Sequence, residues 1–538
     1  MQVYGIDLGT TYSACQAIDP GSTVPTEVAL DGQDYNDLPS VVYLRPEDDH
    51  YAATVGREAE KRAEEGSDGV LIREAKRFIG VKGEAQKLWT KGGITIDPVE
   101  VSALILRKIR QQTMGHDSTE PMYAVVTHPR DFDLGKKDLT KEAAQLAGIQ
   151  LLDTLNEPEA AAYAYFEPGG EREPGLYVVF DLGGGTLDIA ILDVPVSGPV
   201  KVVGGAGDPH LGGCDWDAKM RELLLEDIAA YTGWAEPLRL ERKCEFRLRN
   251  LVREQKHSLA KLARAPRKNF EANRAESTEP GVMVPLNVEI GRFNERCAGL
   301  VEKCRAVLDR ALADSHRTRD DVMRVLPVGG SSRLRAVRQL LEDMFPGRVV
   351  PFEEGPNPDF AVAQGAARYA SFRAVQEKIG IGEGDGESEL IIGGDAFIEG
   401  TVPKAINVLN SRTENGARQE WLVQIVPQNS PAPLPTPVVV PLVVKTPAAH
   451  TVIKLFEGPA GAIQPGRTAA LTLTFPPSVR SKKDDTIRLT VQVGRSGRIQ
   501  ASATYADGTI VQGDTEAEDN AKDQRSKRSQ TMQKVVVR

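Results

Sequence analysis

The chain has 538 residues, which at roughly 150 residues per domain predicts about two to four domains rather than one compact core. Hydrophobic residues make up 41% and charged residues 26%, as in ordinary globular proteins, which excludes global disorder. The net charge of −10 argues against a general nucleic-acid-coating protein, and no apolar run is long enough for a membrane span. We therefore expect neither nucleic acid nor membrane as a partner.

The N-terminus and the cysteines indicate the compartment. Residues Met1–Ile6 enter an apolar strand at once, without the basic and apolar regions of a signal peptide. The cysteines number five, are scattered, and contain no Cys-x-x-Cys pair. This pattern predicts a cytoplasmic protein of a reducing compartment.

Two distant stretches share one pattern. Residues 3–14 and 177–189 each contain an apolar strand that ends in Asp-Leu-Gly, then a tight turn, then a second strand. This is typical of a β-hairpin with glycine where a side chain would block close approach of the backbone. Two copies predict a duplicated unit, and hence two related α/β lobes.

The sequence between and after these copies predicts mainly helices. Pro98–Gln111 has apolar residues at helical spacing. Further helices are predicted over Leu139–Ala147, Glu159–Tyr165, parts of Met220–Arg264, and Arg335–Met344, the last preceded by a strand at Val325–Val328.

The composition changes after about Phe372. We expect a nucleotide-binding domain over residues 1–376, an acidic and glycine-rich linker over 377–401, an all-β sandwich over 402–515, and a charged, disordered tail over 516–538. The predicted strands of the sandwich are Trp421–Ile425, Val452–Phe456, Leu471–Leu473, Ile487–Val493 and Ile499–Ala503.

The two glycine turns could face each other and hold phosphates. One side offers Gly9, Thr10 and Thr11, and the other Gly183, Gly184, Gly185 and Thr186. Asp7 and Asp181 would repel phosphate unless a divalent cation lay between, which favours Mg²⁺ held through water. The P-loop pattern is absent, and the alternating glycines after Gly380 follow no strand, so we interpret them as linker.

These motifs resemble the seventy-kilodalton heat-shock (DnaK-type) chaperone family, within the actin-like ATPase superfamily. The resemblance rests on several segments across the first 370 residues: 7–13, 75–80, 156–162, 180–188, 207–213, 328–333 and 357–359. It implies an α/β fold of two duplicated lobes, followed by a peptide-binding β-sandwich. The cofactors it implies are ATP or ADP with Mg²⁺.

The resemblance also implies roles for single residues. As catalytic residues it implies Lys76, Glu157, Asp181, Thr186 and Asp7, with Asp7, Asp181 and Asp188 holding Mg²⁺ through water. As nucleotide-binding residues it implies Gly9, Thr10, Thr11, Tyr12, Gly183, Gly184, Gly185, Lys256, His257, Gly329, Gly330, Ser331, Arg333 and Asp359. Pro129 stands where the family has a proline that relays the nucleotide state between domains. Alternatives from the residues alone are a solvated Lys76, a helix-starting Glu157 and a strand-ending Pro129.

The segment 252–260 departs from the family pattern. Lys256 aligns with the family lysine, but the family acid is Arg253 here, its base-stacking arginine is His257, and its serine is Ala260. His257 can still stack on adenine, and Glu254 can substitute for the acid after a slight shift. The alternative is a helix that only packs between the lobes.

Beyond the lobes the resemblance is looser. Either Leu390–Ile392, slightly favoured, or Ala396–Ile398 would replace the family's leucine-rich linker, and too little sequence follows Gln512 for a helical lid. The resemblance implies a slow, Mg²⁺-dependent ATP hydrolase that acts as a chaperone on extended apolar polypeptides, with a J-domain co-chaperone and a nucleotide exchange factor as partners. A nucleotide-gated scaffold with little turnover is the alternative; a filament subunit or sugar kinase would share only the glycine turns.

Overall fold

A computed structural model gives the fold of the chain. It describes residues 1–537 apart from 33, 48–49, 67, 82–85, 92, 167–171, 236, 278–279, 380–397, 403, 415–416, 445–451, 464–466, 468, 477–483, 495–497 and 515–518.

The first part of the chain, residues 3–165, forms lobe I around a sheet of order β11-β10-β1-β2-β3, with β4 paired to β2. Its strands are β1 (Val3–Asp7), β2 (Tyr12–Ile18), β3 (Thr26–Glu27), β4 (Asp37–Pro39), β5 (Val41–Pro46), β6 (Tyr51–Val55), β7 (Val70–Arg73), β8 (Trp89–Lys91), β9 (Ile94–Ile96), β10 (Met122–His128) and β11 (Ile149–Asn156). Its helices are α1 (Arg57–Glu65), α2 (Pro98–Met114), α3 (Leu134–Leu146) and α4 (Glu157–Tyr165). Strands β5, β6 and β7 lie in a separate small sheet.

Residues 175–376 form lobe II, whose sheet has the order β17-β12-β13-β14 before it continues into later strands. Its strands are β12 (Gly175–Leu182), β13 (Leu187–Val194), β14 (Val200–Asp208), β15 (Lys268–Ala272), β16 (Val282–Leu286) and β17 (Val322–Val328). Its helices are α5 (Gly213–Thr232), α6 (Arg242–Lys261), α7 (Ile290–Asp314), α8 (Arg335–Met344) and α9 (Ala361–Gln376).

The predicted duplication is confirmed by strand pairing. In lobe I, β1 pairs antiparallel with β2 and parallel with β10, and in lobe II, β12 pairs antiparallel with β13 and parallel with β17. Helices α4 and α9 pack on each other between the two sheets, since α9 contacts β1 and β2 while α4 contacts β12 and β13. The two hairpin turns therefore open toward the same cleft between the lobes.

The described residues between 398 and 514 form strands and connecting loops, as expected for an all-β domain. Its strands are β18 (Ile398–Thr401), β19 (Ile406–Glu414), β20 (Ala417–Val426), β21 (Pro431–Ala432), β22 (Val438–Val443), β23 (Val452–Glu457), β24 (Gly461–Ala462), β25 (Leu471–Thr474), β26 (Thr486–Val493), β27 (Ile499–Thr504) and β28 (Ile510–Asp514). A five-stranded sheet of order β24-β20-β19-β23-β25 and a four-stranded sheet of order β22-β26-β27-β28 share one apolar core. These two sheets form the sandwich.

The sandwich joins lobe II through β18. This strand pairs parallel with β14, with Ile398 opposite Val200, and antiparallel with β21. Of the two predicted linker segments, Leu390–Ile392 lies outside the described residues, and only Ile398 of the second segment lies within them. Ile398 is buried against lobe II.

The prediction of a disordered tail over 516–538 is wrong for most of that segment. Residues Asp519–Gln533 form α10, and Val535–Val537 form β29, which pairs parallel with β6 of lobe I. The charged composition indicated a solvated segment, but Met532, Val535 and Val537 are buried in the lobe I core. An open strand edge on a distant lobe orders them, and the local sequence contains no sign of that edge.

Candidate nucleotide-binding cleft

A cleft of about 1170 Å³ lies between the lobes. Most of the predicted site residues line it: Asp7, Gly9, Thr10, Thr11, Tyr12, Lys76, Glu157, Asp181, Gly183, Gly184, Thr186, Lys256, His257, Gly329, Gly330, Ser331, Arg333 and Asp359. Gly185, Asp188 and Pro129 do not line the cleft. The volume is ample for a nucleoside triphosphate.

The first glycine turn, residues 8–11, joins β1 to β2. Ser40 fixes it from outside, because its hydroxyl donates to the Gly9 carbonyl oxygen at 2.7 Å and its backbone N–H donates to the Thr11 carbonyl oxygen at 2.8 Å. With these carbonyl groups engaged on one face, the turn is held in a fixed position at the edge of the cleft.

The second glycine turn, residues 183–186, joins β12 to β13. The backbone N–H of Gly183 donates to the Thr186 carbonyl oxygen at 3.1 Å, and the start of α5 packs on the turn through Gly213 N–H and Cys214 N–H. A Cβ on Gly184 would clash with the side chain of Thr11 in the first turn. The two turns are therefore in contact, as the sequence predicts, and glycine permits this approach.

Lys76 and Glu157 form a buried ion pair at the base of the cleft. Lys76 lies in a single 3-10 turn over Ala75–Phe78, and Glu157 is the first residue of α4, which Asn156 caps. Lys76 Nζ contacts Glu157 Oε1, and only 6% and 9% of the two side chains are exposed. This burial rules out the alternative of a solvated Lys76.

Several buried carboxyl groups lie around this ion pair. Burial and the neighbouring Glu157 raise the pKa of Asp7 to about 6, against the opposing effects of Lys76 and of Thr127, which donates to Asp7 Oδ1 at 3.1 Å. Burial and Glu157 also raise the pKa values of Asp181 and Asp188, with a further contribution from Asp188 for Asp181 and from Asp131 for Asp188. A single lysine does not neutralise these carboxyl groups, so the cluster favours an added cation.

The residues present fit a hydrated magnesium ion better than a directly coordinated metal. Asp7 and Asp181 line the cleft, whereas Asp188 is turned away from it and accepts a hydrogen bond from the backbone N–H of Arg130 at 2.8 Å. Among the described residues no group of three or more His, Cys, Asp or Glu side chains is arranged to hold a metal directly. Oxygen ligands that reach a cation through water suit Mg²⁺, which retains much of its hydration shell.

The opposite wall of the cleft comes from lobe II. Gly329 has φ 77°, and a Cβ there would meet Asp181 and the Leu182 backbone, so this position requires glycine. Arg333 donates to Asn357 and to Asp359 at 3.1 and 3.2 Å and lies over the Phe352 ring. This planar cationic group at the cleft edge is suited to stacking or to hydrogen bonding with a base.

The side chains of α6 that face the cleft differ from those of the family pattern. Lys256 is buried and contacts the Gly213 carbonyl oxygen at 3.1 Å and Asp217 at 2.8 Å, while His257 is exposed to the cleft. Arg253 forms an ion pair across the cleft with Glu60 of α1 at 3.0 Å, and Glu60 also binds Arg73. Glu254, the suggested substitute acid, is instead paired with Lys268 at 2.6 Å.

Sequence reasoning missed Asp217 and Glu60. Asp217 lies four residues after the recognised motif Gly207–Gly213 and becomes part of the cleft only because α5 packs against the second glycine turn. Glu60 lies in a charged helix where an acid ordinarily faces solvent, so nothing in its neighbourhood signals a role.

Pro129 adjoins a residue, Arg130, that contacts the sandwich. It follows β10 and is buried, and the adjacent Arg130 binds Asp188 through its backbone and Asn429 through its guanidinium group at 2.9 Å. A second contact follows shortly after Arg130. The backbone N–H of Leu134, the first residue of α3, donates to Glu457 of the sandwich at 2.8 Å.

Duplicated lobes with two facing hairpin turns define the actin-like nucleotide-binding fold. Residues 3–379 match the family model described as Hsp70 protein. The chain therefore belongs to the Hsp70 family.

Curated relatives agree with this assignment. The chain is 32% identical to the chaperone protein DnaK of Cyanophora paradoxa and 34% identical to that of Deinococcus deserti, over 70% and 68% of its length. It is 32% identical to the heat shock 70 kDa protein BIP3 of Oryza sativa over 80% of its length. These matches cover 61%, 59% and 62% of the respective relatives, so the chain spans about three fifths of their length.

In the part of the chain that the structure describes, no helix combines the length and the apolar character needed to span a bilayer.

Proposed function

We propose that the protein is an ATP-dependent, chaperone-like protein that binds extended apolar polypeptide segments in its sandwich under the control of Mg-ATP binding and hydrolysis. The observation that carries this proposal is the buried Lys76–Glu157 pair, which lies beside two contacting glycine turns in a cleft of triphosphate size.

The residues of the cleft can perform hydrolysis without a covalent intermediate. The amides of the two turns and the hydroxyls of Thr10 and Thr186 would hold the phosphates, and Lys76 would balance charge at the γ-phosphate. Glu157 would orient the attacking water. Asp7 and Asp181, with Asp188 behind them, would hold the water shell of Mg²⁺, which when bound neutralises charge on the phosphate oxygens.

A continuous path supports coupling between the cleft and the sandwich. Asp188 binds the Arg130 backbone, Arg130 binds Asn429, and Leu134 at the start of α3 lies in the sandwich core. Pro129 at the head of this path is a candidate relay. Coupling requires ATP to bind the docked arrangement better than the undocked one.

We propose domain limits of 1–376 and 402–515, with the linker between them. The pairing of β18 with β14 supports Ile398 as the linker residue that docks on lobe II. Exposed valines of the sandwich, among them Val439 and Val443 on the edge strand β22, support an apolar ligand. A J-domain co-chaperone and a nucleotide exchange factor are the proposed partners, and the five free cysteines support a cytoplasmic location.

Single-turnover hydrolysis of radiolabelled ATP with Mg²⁺ tests the proposal. Lys76→Ala should slow hydrolysis by about 100-fold or more, because it removes a preorganised cation from the transition state. An apolar peptide should accelerate hydrolysis by the wild type. The matched control is Lys303→Ala, an exposed lysine on α7, which should leave the rate unchanged.

Equal rates for Lys76→Ala and the wild type would refute the assigned chemistry. If hydrolysis depends on Lys76 but is not accelerated by peptide, the protein is an ATPase and the proposed coupling to peptide binding is wrong.

The ion pair between Arg253 and Glu60 favours a second candidate, a nucleotide-gated scaffold with little turnover. The family acid on α6 is replaced by a residue whose guanidinium group is already engaged across the cleft. Tight ATP binding without hydrolysis in the same assay would select this scaffold.

A further inference from the structure

The segment 519–537, which we call the strap, is bound to lobe I. Helix α10 contacts α3 and β9, and β29 adds a parallel strand to the edge of β6. The backbone N–H of Tyr51 donates to the Lys534 carbonyl oxygen at 2.9 Å, and Arg107 contacts the Val535 carbonyl oxygen at 3.4 Å. The end of the strap thus forms backbone hydrogen bonds with lobe I.

One arginine anchors the helical part of the strap. Arg528 Nε and Nη2 contact Asp97 Oδ2 at 2.8 and 2.7 Å, and Nη1 contacts Glu142 Oε2 at 2.9 Å. Asp97 uses its other oxygen to cap α2, and the Glu142 side chain is only 5% exposed. Two carboxylates, one at the N-cap of α2 and one on α3, therefore match the fixed fork of one guanidinium group, which a lysine cannot reproduce.

The strap also makes apolar contacts with lobe I. Met532, Val535 and Val537 are buried in the lobe I core, while Val536 between the two valines is 43% exposed. Among the described side chains of α10, Arg525, Arg528 and Thr531 are half-buried and those at 524, 526–527, 529–530 and 533 are exposed. A polar helix whose described side chains are mostly exposed is suited to reversible binding, because the entropy lost on ordering it offsets most of the free energy gained from its contacts.

We propose that lobe I contains a strand-binding groove, formed by the β6 edge, Asp97 and Glu142, whose ligand is the chain's own strap. The strap follows the last strand of the sandwich, which ends at Asp514. The sandwich is already joined to lobe II through β18 and to lobe I at Leu134. Binding of the strap adds a further, releasable attachment of the sandwich to lobe I, with α3 contacting the sandwich at its first residue and the strap at Glu142.

Hydrogen exchange of the full-length, nucleotide-free protein tests the groove. Val535→Asp with Val537→Asp should accelerate exchange in the peptide that contains Tyr51–Val55 by about tenfold or more, because the β6 edge loses its partner strand. Val536→Asp, an equal change on the exposed side of the same strand, should not. Arg528→Glu, which places no charge in the core, should also open the β6 edge.

A labelled synthetic peptide of sequence 519–538 provides a second readout. It should bind the Val535→Asp, Val537→Asp protein at least tenfold more tightly than the wild type, whose groove is filled, and the same peptide with both aspartates should not bind. Unchanged exchange at Tyr51–Val55, equal acceleration by Val536→Asp, or equal binding of both peptides would overturn the proposal. ATP binding by the same variants reports the cleft separately.

Discussion

The two sides of the cleft present different kinds of groups to it. The glycine-turn side, residues 7–11 and 181–186, presents backbone amides and small side chains on two hairpins that contact each other. The helix side, formed by α6 and residues 329–333, presents long side chains that also serve other contacts, as Arg253 does with Glu60. Backbone geometry tolerates little change, whereas a helix surface can exchange one side chain for another. The glycine-turn side accordingly retains the family motif, and α6 on the helix side has departed from it.

The largest expected effect comes from adding one methyl group where the two turns meet. Gly184→Ala would clash with Thr11 and should weaken ATP binding roughly 100-fold, since overpacking of this kind costs about 1–3 kcal/mol and also displaces the amides. Isothermal calorimetry would measure the affinity.

Gly183→Ala is the matched control for Gly184→Ala, because it adds the same methyl group to the same turn. Its Cβ would meet only the Thr186 carbonyl oxygen at 3.8 Å, so the melting temperature of the nucleotide-free protein should not change. A similar loss of melting temperature in both variants would show that the contact with Thr11 is not the cause.

The charge of the glycine-turn side predicts a pH dependence. The raised pKa of Asp7, about 6, means that its contribution to stability in the nucleotide-free protein is complete below about pH 4 and is lost as the pH rises to about 6. Deprotonation of Asp7 strengthens the binding of Mg²⁺. The affinity for ATP in the presence of Mg²⁺ should therefore rise about tenfold from pH 5 to pH 7.

Titration calorimetry at a series of pH values would measure this effect. Asp7→Asn should reduce the rise in affinity. A flat profile in the wild type would contradict the assignment of Asp7 to the cation.

On the helix side, Arg253→Ala should release nucleotide about fivefold faster, because it removes a partly buried ion pair that joins α1 to α6 across the cleft. Glu60 would remain paired with Arg73, so no acid is left isolated. Stopped-flow displacement of a fluorescent nucleotide would give the rate. Arg249→Ala, one turn earlier and exposed on the same helix, should not alter it.

The smallest effect should come from restoring the family residue at His257. His257→Arg should tighten ATP binding about threefold through stacking on the base, without tightening the binding of inorganic triphosphate. Equal gains for both ligands would indicate a general charge effect and leave the adenine site unassigned.

The sequence predicted those parts of the site that depend on local pattern. The two turns were recognisable because strand, Asp-Leu-Gly and strand lie within about a dozen residues, and the steric need for glycine acts over the same distance. Helices α2, α4 and α8 were also predicted from short stretches of sequence, and for α2 the signal was the helical spacing of its apolar residues.

Other features depend on residues far apart in the chain. Arg253 and Glu60 are separated by 193 positions, and neither α1 nor α6 contains a sign of its partner. The strap shows the same limit, because its helix contacts lobe I partly through arginines and its strand has only three residues.

The sequence alone therefore determined the duplicated lobes, the glycine turns and the all-β character of the sandwich, because hydrophobic period and glycine sterics are local properties. Only the tertiary structure decided that Arg253 spans the cleft and that the charged segment 519–537 binds the edge of β6. Ion pairs and added strands depend on which surfaces the fold brings together, and a local pattern does not contain that information.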